Sequence, residues 1–377
     1  GERMERNQIL QIYGTEYLAM PTKLLEEADL QSLIGDRNSR IGIKPNLVSG
    51  SEASWGATTH PEIVSGIIEY LQEHGFQRLV MMEGSWVGDN TAEVAEICGY
   101  DRISEKYGVP FADMQKDHYH KKDCAGMELL ICDQVENTDF LINVPVLKGH
   151  CQTKITCALK NMKGLIPNRE KRHFHSMGLH KPIAHLNAGI RQDFIVVDHI
   201  CGDLDFEDGG NPVVTNRILV GRDPVLMDAF VCDLLHYSPD EVPYVKLAEK
   251  LGVGCADIGQ AKILICGSYR DGTVSALDAS GEELPYPRKM VELKDAVEEV
   301  ESCSACYGYL MPALDRLREE GLFEKLDTRI CIGQGYKGKT GRLGVGACTS
   351  GFEFCVRGCP PTEEQIYEAL REYIKSK

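Results

Sequence analysis

The sequence predicts an α/β protein of mainly parallel sheet with flanking helices. Apolar runs of strand length, at residues 41–43, 79–82, 140–144, 194–197 and 263–266, alternate with helical patterns at 61–74, 223–235 and 244–251. That alternation is the mark of strand-helix-strand units, whose strands lie parallel. A chain of 377 residues also exceeds the size at which a single core keeps growing, so two or three domains are expected.

Taken in order, segment 59–75 (THPEIVSGIIEYLQEHG) shows the local logic. Thr59 is placed to cap a helix and Pro61 suits its first turn. Ile63, Ile67, Tyr70 and Leu71 share one face, and Gly75 is placed to end it. The strand RLVMMEG follows at once. Further on, Asp223 reads as a helix cap before Pro224, with Asp228 one turn later, both in structural roles. Residues 271–288 are polar and rich in Gly and Pro, with no periodic apolar face. The last domain boundary is placed there, giving a main α/β region at 1–285, open to division near 145, and a small α/β unit at 286–377. In that unit the helical PALDRLREEGLFEKL is followed by RICIG, LGVGA and FCVRG, then by the helix TEEQIYEALREYIK.

Composition narrows the function. A formal charge of -16 and a pI near 5.2 repel a phosphate backbone, so nucleic acid is not an expected partner. No apolar run has the length of a membrane span or a signal peptide, so no membrane partner is expected and the expected compartment is cytoplasmic. Fifteen cysteines, an odd number in a chain too large to need a disulfide framework, favour reduced thiols, metal ligation or both.

Four of these cysteines stand at strand ends and Gly-rich turns: Cys303 and Cys306 in CSAC, Cys348 in VGACTSG and Cys359 in RGCPP. Four thiolates suit an iron-sulfur cluster, because a pair two residues apart can curl round one corner while separate loops close the rest. Glycines beside the later two let backbone approach the sulfides, and Pro360 with Pro361 fixes the loop exit. Zinc held by four thiolates is the alternative. The set, in the order CxxC, G-x-C, GCPP, resembles the proximal-cluster domain of hydrogenase small subunits and the related subunit of respiratory complex I. That resemblance covers the C-terminal quarter and implies one [4Fe-4S] cluster on a flavodoxin-like scaffold. Cys331 and Cys355 lie inside apolar strands and are expected to point into a core, with Cys355 the reserve ligand.

Residues 333–340, GQGYKGKT, satisfy both GxGxxG and the P-loop formula. A phosphate loop needs a helix to start at its GK[ST] end, whereas GRLGVGAC and another strand follow, so a loop beside the cluster is expected instead of a nucleotide site. Lys337, Lys339 and Arg342 give it a basic face suited to an anionic partner.

The larger region carries IKPNLV at 43–48, THPEIV at 59–64, LINVPVLKGHCQTKITCALKNMKGLIP at 141–167 and VGRDPVLMD at 220–228. These stretches resemble domain of unknown function family 362, whose name attaches no activity. Many of its members carry ferredoxin-type clusters, although the ferredoxin CxxCxxC run is missing here. The order of a sheet-edge helix, a lysine-rich glycine loop and then histidines is also similar, more faintly, to the lactate racemase that uses a nickel-pincer cofactor.

Cationic and imidazole groups crowd the loops between 148 and 185. Lysines of KITCALKNMKG are expected on the solvated face of a helix. The KGH turn is different, since Lys148 and His150 would follow a buried strand at the carboxyl edge of a parallel sheet, where Lys44 and Asn46 also arrive. Lys148, His150 and Lys154 are the expected catalytic residues, with Lys44, Asn46, His173 and His175 binding a small anionic substrate or cofactor. Asp198, Asp203, Asp205 and Asp208 carry oxygen ligands suited to a divalent cation, but DLDFEDGG reads more simply as a solvated loop.

Three functions compete. The leading one is an oxidoreductase or electron-transfer protein whose cluster exchanges electrons with the ligand of the main region, served by a redox partner protein. The others are a non-redox isomerase or lyase with a structural cluster, and a cluster carrier.

Overall fold

Strands buried on both faces need apolar residues at odd and even positions alike, and the central strands here have them. The structure, a computed structural model, describes residues 3–208, 210–270, 273–275, 284–285 and 289–377. Its large sheet has nine strands: β1 (Gln8–Gly14), β2 (Ile41–Pro45), β3 (Leu79–Glu83), β4 (Phe111–Asp113), β5 (Phe140–Val144), β6 (Phe194–His199), β7 (Arg217–Gly221), β8 (Lys262–Arg270) and β9 (Thr273–Ser275). Their spatial order is β9-β8-β1-β7-β6-β5-β2-β3-β4. Five of the eight neighbouring pairs are parallel, and β7 runs against both its neighbours. The predicted α/β class with mainly parallel sheet is what forms.

Alternation sorts the side chains of these strands. In β6, Phe194 and Val196 enter one core while Ile195 and Val197 enter the other. The first core is closed by helices Ala19–Ala28 and Pro61–Glu73, through residues such as Leu24 and Ile67. The second is closed by His180–Gly189, Pro224–Leu234 and Pro243–Lys250, through Ile183, Val225 and Tyr244. Strands from before and after residue 145 sit side by side in the one sheet, so 145 does not divide two sheets.

A second, wholly parallel sheet follows, in the order β10 (Val297–Glu299), β11 (Ile330–Ile332), β12 (Leu343–Val345), β13 (Phe354–Val356). Helices Ser304–Glu319 and Glu363–Lys375 pack on it through Leu310, Leu314, Ile366 and Leu370. Phe206 of the larger region is buried in the same core. Most of 271–288, the proposed boundary, lies outside the described residues.

Local expectations meet mixed outcomes. Asp223 caps its helix by accepting from the amides of Val225 and Leu226. Thr59 does not cap: its hydroxyl donates to the carbonyl of Val144 and accepts from the amide of Asn46, tying two strand ends together, and His60 occupies the cap position. The segment KITCALKNMKG is not a solvated helix. It is a short strand, Lys154–Thr156, exposed only at Lys154, then a 3-10 turn, Lys160–Leu165, every residue of which is buried. No helix starts at the end of GQGYKGKT, and β12 follows instead. Among the described residues no helix is long and apolar enough to cross a membrane.

Candidate functional site

In open parallel sheets, ligands bind beyond the carboxyl ends of the strands where the strand order reverses. Here the chain runs outward from β2 to β3 and β4, then returns to place β5 on the other flank of β2. Lys44 is the penultimate residue of β2 and Glu83 the last of β3. Their side chains meet at this switch point, Lys44 Nζ lying 2.8 Å from Glu83 Oε1 and donating to the carbonyl of Pro45 and to Asn161 Oδ1. Both are buried. Burial pushes the Lys44 ammonium below its usual range, and Glu83 opposes the shift.

Beyond β5 the hairpin Lys148–His150/Lys154–Thr156 brings a second group to Glu207. Glu207 Oε1 lies 3.4 Å from Lys160 Nζ and 3.9 Å from Lys148 Nζ, and Oε2 lies 3.0 Å from His150 Nε2. His150 Nδ1 accepts from the amides of Gln152 and Thr153, so its proton sits on Nε2, the atom that faces Glu207 Oε2. Burial, with Lys160 adding to it, holds that imidazole neutral, at about 4. Burial alone would raise the Glu207 carboxyl, yet Lys160, His150 and Lys148 hold it well below the usual range. Burial lowers Lys148 to about 8 against the pull of Glu207.

Two further lysines close the site. Lys171 Nζ donates to the carbonyls of Gly84 and Ser85, and burial lowers it to about 8. Lys163 Nζ lies 3.5 Å from His175 Nε2, and burial, with Lys160 nearby, pushes it well down. Lys44, Lys160, Lys163 and Lys171, with Glu83, Glu207, Asn46, Thr156, Trp86 and Ser304, line one cavity of about 50 Å³. Asn46 Oδ1 and Thr156 Oγ1 are buried there without a hydrogen-bond partner. Larger clefts exist, among them one of about 670 Å³ along Arg6, Arg191 and Asp223. Displaced titrations and partnerless polar atoms, more than volume, mark the small cavity as the candidate.

The four predicted cysteines also come together. Cys303, Cys306, Cys348 and Cys359 line a single cavity with Gly333, Gly346, Gly358 and Val87, and neither Cys331 nor Cys355 is part of it. The Cys355 thiol instead donates to the carbonyl of Gly346, and Cys331 faces Glu298. Gly346 and Gly358 hold positive φ of 92° and 139°, and a Cβ on Gly346 would stand 3.0 Å from Cys306 Sγ. Burial, then the neighbouring thiols, raises Cys303. Among the described residues no group of three or more His, Cys, Asp or Glu side chains is disposed to hold a metal ion.

The two cavities share a wall. Trp86 and Ser304 face the lysines, while the next residues, Val87 and Cys303, face the cysteines. His175 fastens that wall, since Nε2 accepts from the amide of Ser304, and Gln152 exchanges hydrogen bonds with Ser302 and Ser304.

Of the residues read from the sequence, Lys44, Asn46, Lys148, His150 and His175 converge. Lys154 does not: at φ 70° it turns outward, half exposed, to Glu241 and the ring of Tyr237. His173 also stays outside, on the exposed side of its helix, paired with Glu170 beside a separate groove. Sequence reasoning missed Glu83 and Glu207 as partners. Glu83 was marked by its place, a lone charge ending an apolar strand, but Glu207 sits in the run read as a solvated loop, where Asp203, Glu207 and Asp208 prove buried.

The sequence model of the family described as domain of unknown function (DUF362) matches residues 41–233, just over half of the chain. A thylakoid-associated protein of Synechocystis sp. is 24% identical over 226 residues, 57% of this chain and 68% of the relative. Among solved structures, the lactate racemase apoprotein of Thermoanaerobacterium thermosaccharolyticum aligns at 14% identity and TM-score 0.39, over 59% of this chain and 56% of that one. A protein from Thermotoga maritima aligns at 13% identity and TM-score 0.37, over 63% and 59%. The chain thus spans less than two thirds of either solved protein.

Proposed function

The chain belongs to the family described as domain of unknown function (DUF362), and we propose that it is an iron-sulfur oxidoreductase or electron-transfer protein acting on a small anionic ligand. The observation that carries this reading is the shared wall: one residue step, at 86/87 and again at 303/304, separates a pocket of cations from a cavity of four thiols.

Cys303, Cys306, Cys348 and Cys359 would hold a [4Fe-4S] cluster, as in the proximal domain of hydrogenase small subunits, and the cluster would supply single electrons. A single ion with metal–sulfur bonds of about 2.3 Å draws its ligands together. A cubane gives each thiolate its own iron, so cysteines that line a cavity without closing on one point are compatible with it. The side chain missing at Gly346 leaves room beside Cys306.

In the lysine pocket, Lys163 and Lys171 bind the anion, Asn46 orients it and Trp86 covers the wall. His150 spends both ring nitrogens on protein partners and therefore positions Glu207. Lys171, lining the pocket and held at about 8, takes the proton-transfer role. Exposed Arg172 and Lys337, whose charges act on Cys348, offer an anionic redox partner a docking face near exposed Cys359.

Protein purified without oxygen should contain about four iron and four sulfide per chain and show a reversible one-electron transition in a redox titration. Stoichiometric zinc without sulfide, in protein never exposed to air, would end this reading. The non-redox isomerase or lyase keeps one favouring observation, the lysines poised near neutrality. A cluster that cannot be cycled without unfolding the protein would decide for it.

A further inference from the structure

The charges lining the lysine pocket do not cancel. Lys44 is paired with Glu83 and Lys160 with Glu207, which uses both carboxylates of the lining. Lys171 is held only by the carbonyls of Gly84 and Ser85, and Lys163 only by the neutral ring of His175. Four lysines against two glutamates leave two lysines for which the lining holds no carboxylate.

An unpaired buried charge is costly, and a protein keeps one where a ligand completes it. Three lining atoms, Asn46 Oδ1, Thr156 Oγ1 and Glu207 Oε2, are buried without a hydrogen-bond partner, and of these groups the Thr156 hydroxyl, and the Asn46 amide once turned, donate to an anion. The cavity, about 50 Å³, admits only a few heavy atoms.

We propose that this pocket takes a compact dianion, two negative charges on one small ligand as in oxalate or inorganic phosphate, with Lys163 and Lys171 supplying the cations that no protein carboxylate pairs. The inference rests on the reading of this pocket as the substrate site and narrows its ligand from an anion to a dianion. Asn46 and Thr156 hydrogen-bond the ligand's remaining oxygens, with the Asn46 amide turned to present whichever end they need. Burial pushes Lys163 well down while the pocket is empty, and the arriving dianion restores its charge.

The test is calorimetric titration of the whole chain, purified without oxygen and kept in one oxidation state, at constant ionic strength. Oxalate and phosphate are compared with the monoanions formate and acetate, the first two arms separating a planar dicarboxylate from a tetrahedral phosphoryl group. At least one dianion should bind about tenfold or more tighter than either monoanion. Lys163→Met should collapse that preference, Lys163→Arg should keep it, and Lys154→Met, outside the pocket, should leave it unchanged. Monoanions binding as tightly as both dianions, no binding of either dianion, or an undiminished preference in Lys163→Met would overturn the proposal. No electron moves in this titration. A cluster that fails to cycle therefore sinks the redox reading alone, and equal binding of mono- and dianions sinks this inference alone.

Discussion

Two thiols at the start of a helix, Cys303 and Cys306, and two in glycine-containing turns after strands, Cys348 and Cys359, line one cavity, and four buried lysines line the next. Thiols are small groups that cost little to cover, and mostly glycine and apolar side chains, among them Val87 of the larger region, surround them. The lysines tolerate burial only because Glu83, Glu207 and backbone carbonyls meet them, from strands and loops far apart in the chain. One cavity is thus lined by groups that cost little to cover, whereas the other is lined by charges that the protein must mostly settle by itself.

The comparison breaks first at the cysteines. On our reading, Ser at Cys303, Cys306, Cys348 or Cys359 should lose or remodel the cluster, while Ser at Cys331 or Cys355 should leave iron and sulfide content near that of the parent. A Cys355→Ser protein without cluster beside a Cys348→Ser protein with one would reassign the ligands.

It sharpens at Glu207. Glu207→Gln leaves Lys148, Lys160 and His150 without their carboxylate in a buried site, so unfolding in urea should show a loss of about 3–5 kcal/mol. Glu241→Gln, which removes the partner of half-exposed Lys154, should change stability by no more than about 0.5 kcal/mol. Equal effects would mean that the two lysine environments do not differ as described.

The smallest effect is a slope. Lys148 titrates at about 8 when folded and at its ordinary 10.5 when unfolded. Between those values the unfolded chain holds the extra proton, so this group makes stability rise with pH, and its destabilisation is complete below about 8. Glu207, Lys160, Asp203 and Asp208 are the charges that bear on it. The difference in unfolding free energy between the parent and Lys148→Met should therefore shift in the parent's favour by a few kcal/mol, on the order of 1.4 per pH unit, across that window. A flat difference would place Lys148 in a wetter site than its burial implies.

How much of this was legible in the sequence differs between the regions for the same reason that they differ physically. Cysteine spacing is local, so CSAC, VGACTSG and RGCPP named four thiols that tertiary structure then placed along one cavity without adding a fifth. Alternation of apolar runs is local too, and the α/β class followed from it. The lysine site was half legible. Position after a buried strand singled out Lys44 and Lys148, both of which are buried there, but helical periodicity misled at KITCALKNMKG, which forms a strand and a 3-10 turn.

What the sequence determined by itself was the chemistry carried on short segments: which residues end strands, which thiols share a spacing, which helix Asp223 caps. What only the tertiary structure decided was which charges face each other. Glu207 belongs to a polar loop by every local measure, and only the packing of that loop against the 148–156 hairpin makes it the partner of Lys148, His150 and Lys160. The physical reason is that desolvation and ion pairing depend on distances between atoms more than fifty positions apart along the chain in the case of Glu207 and Lys148, and no local pattern carries those distances.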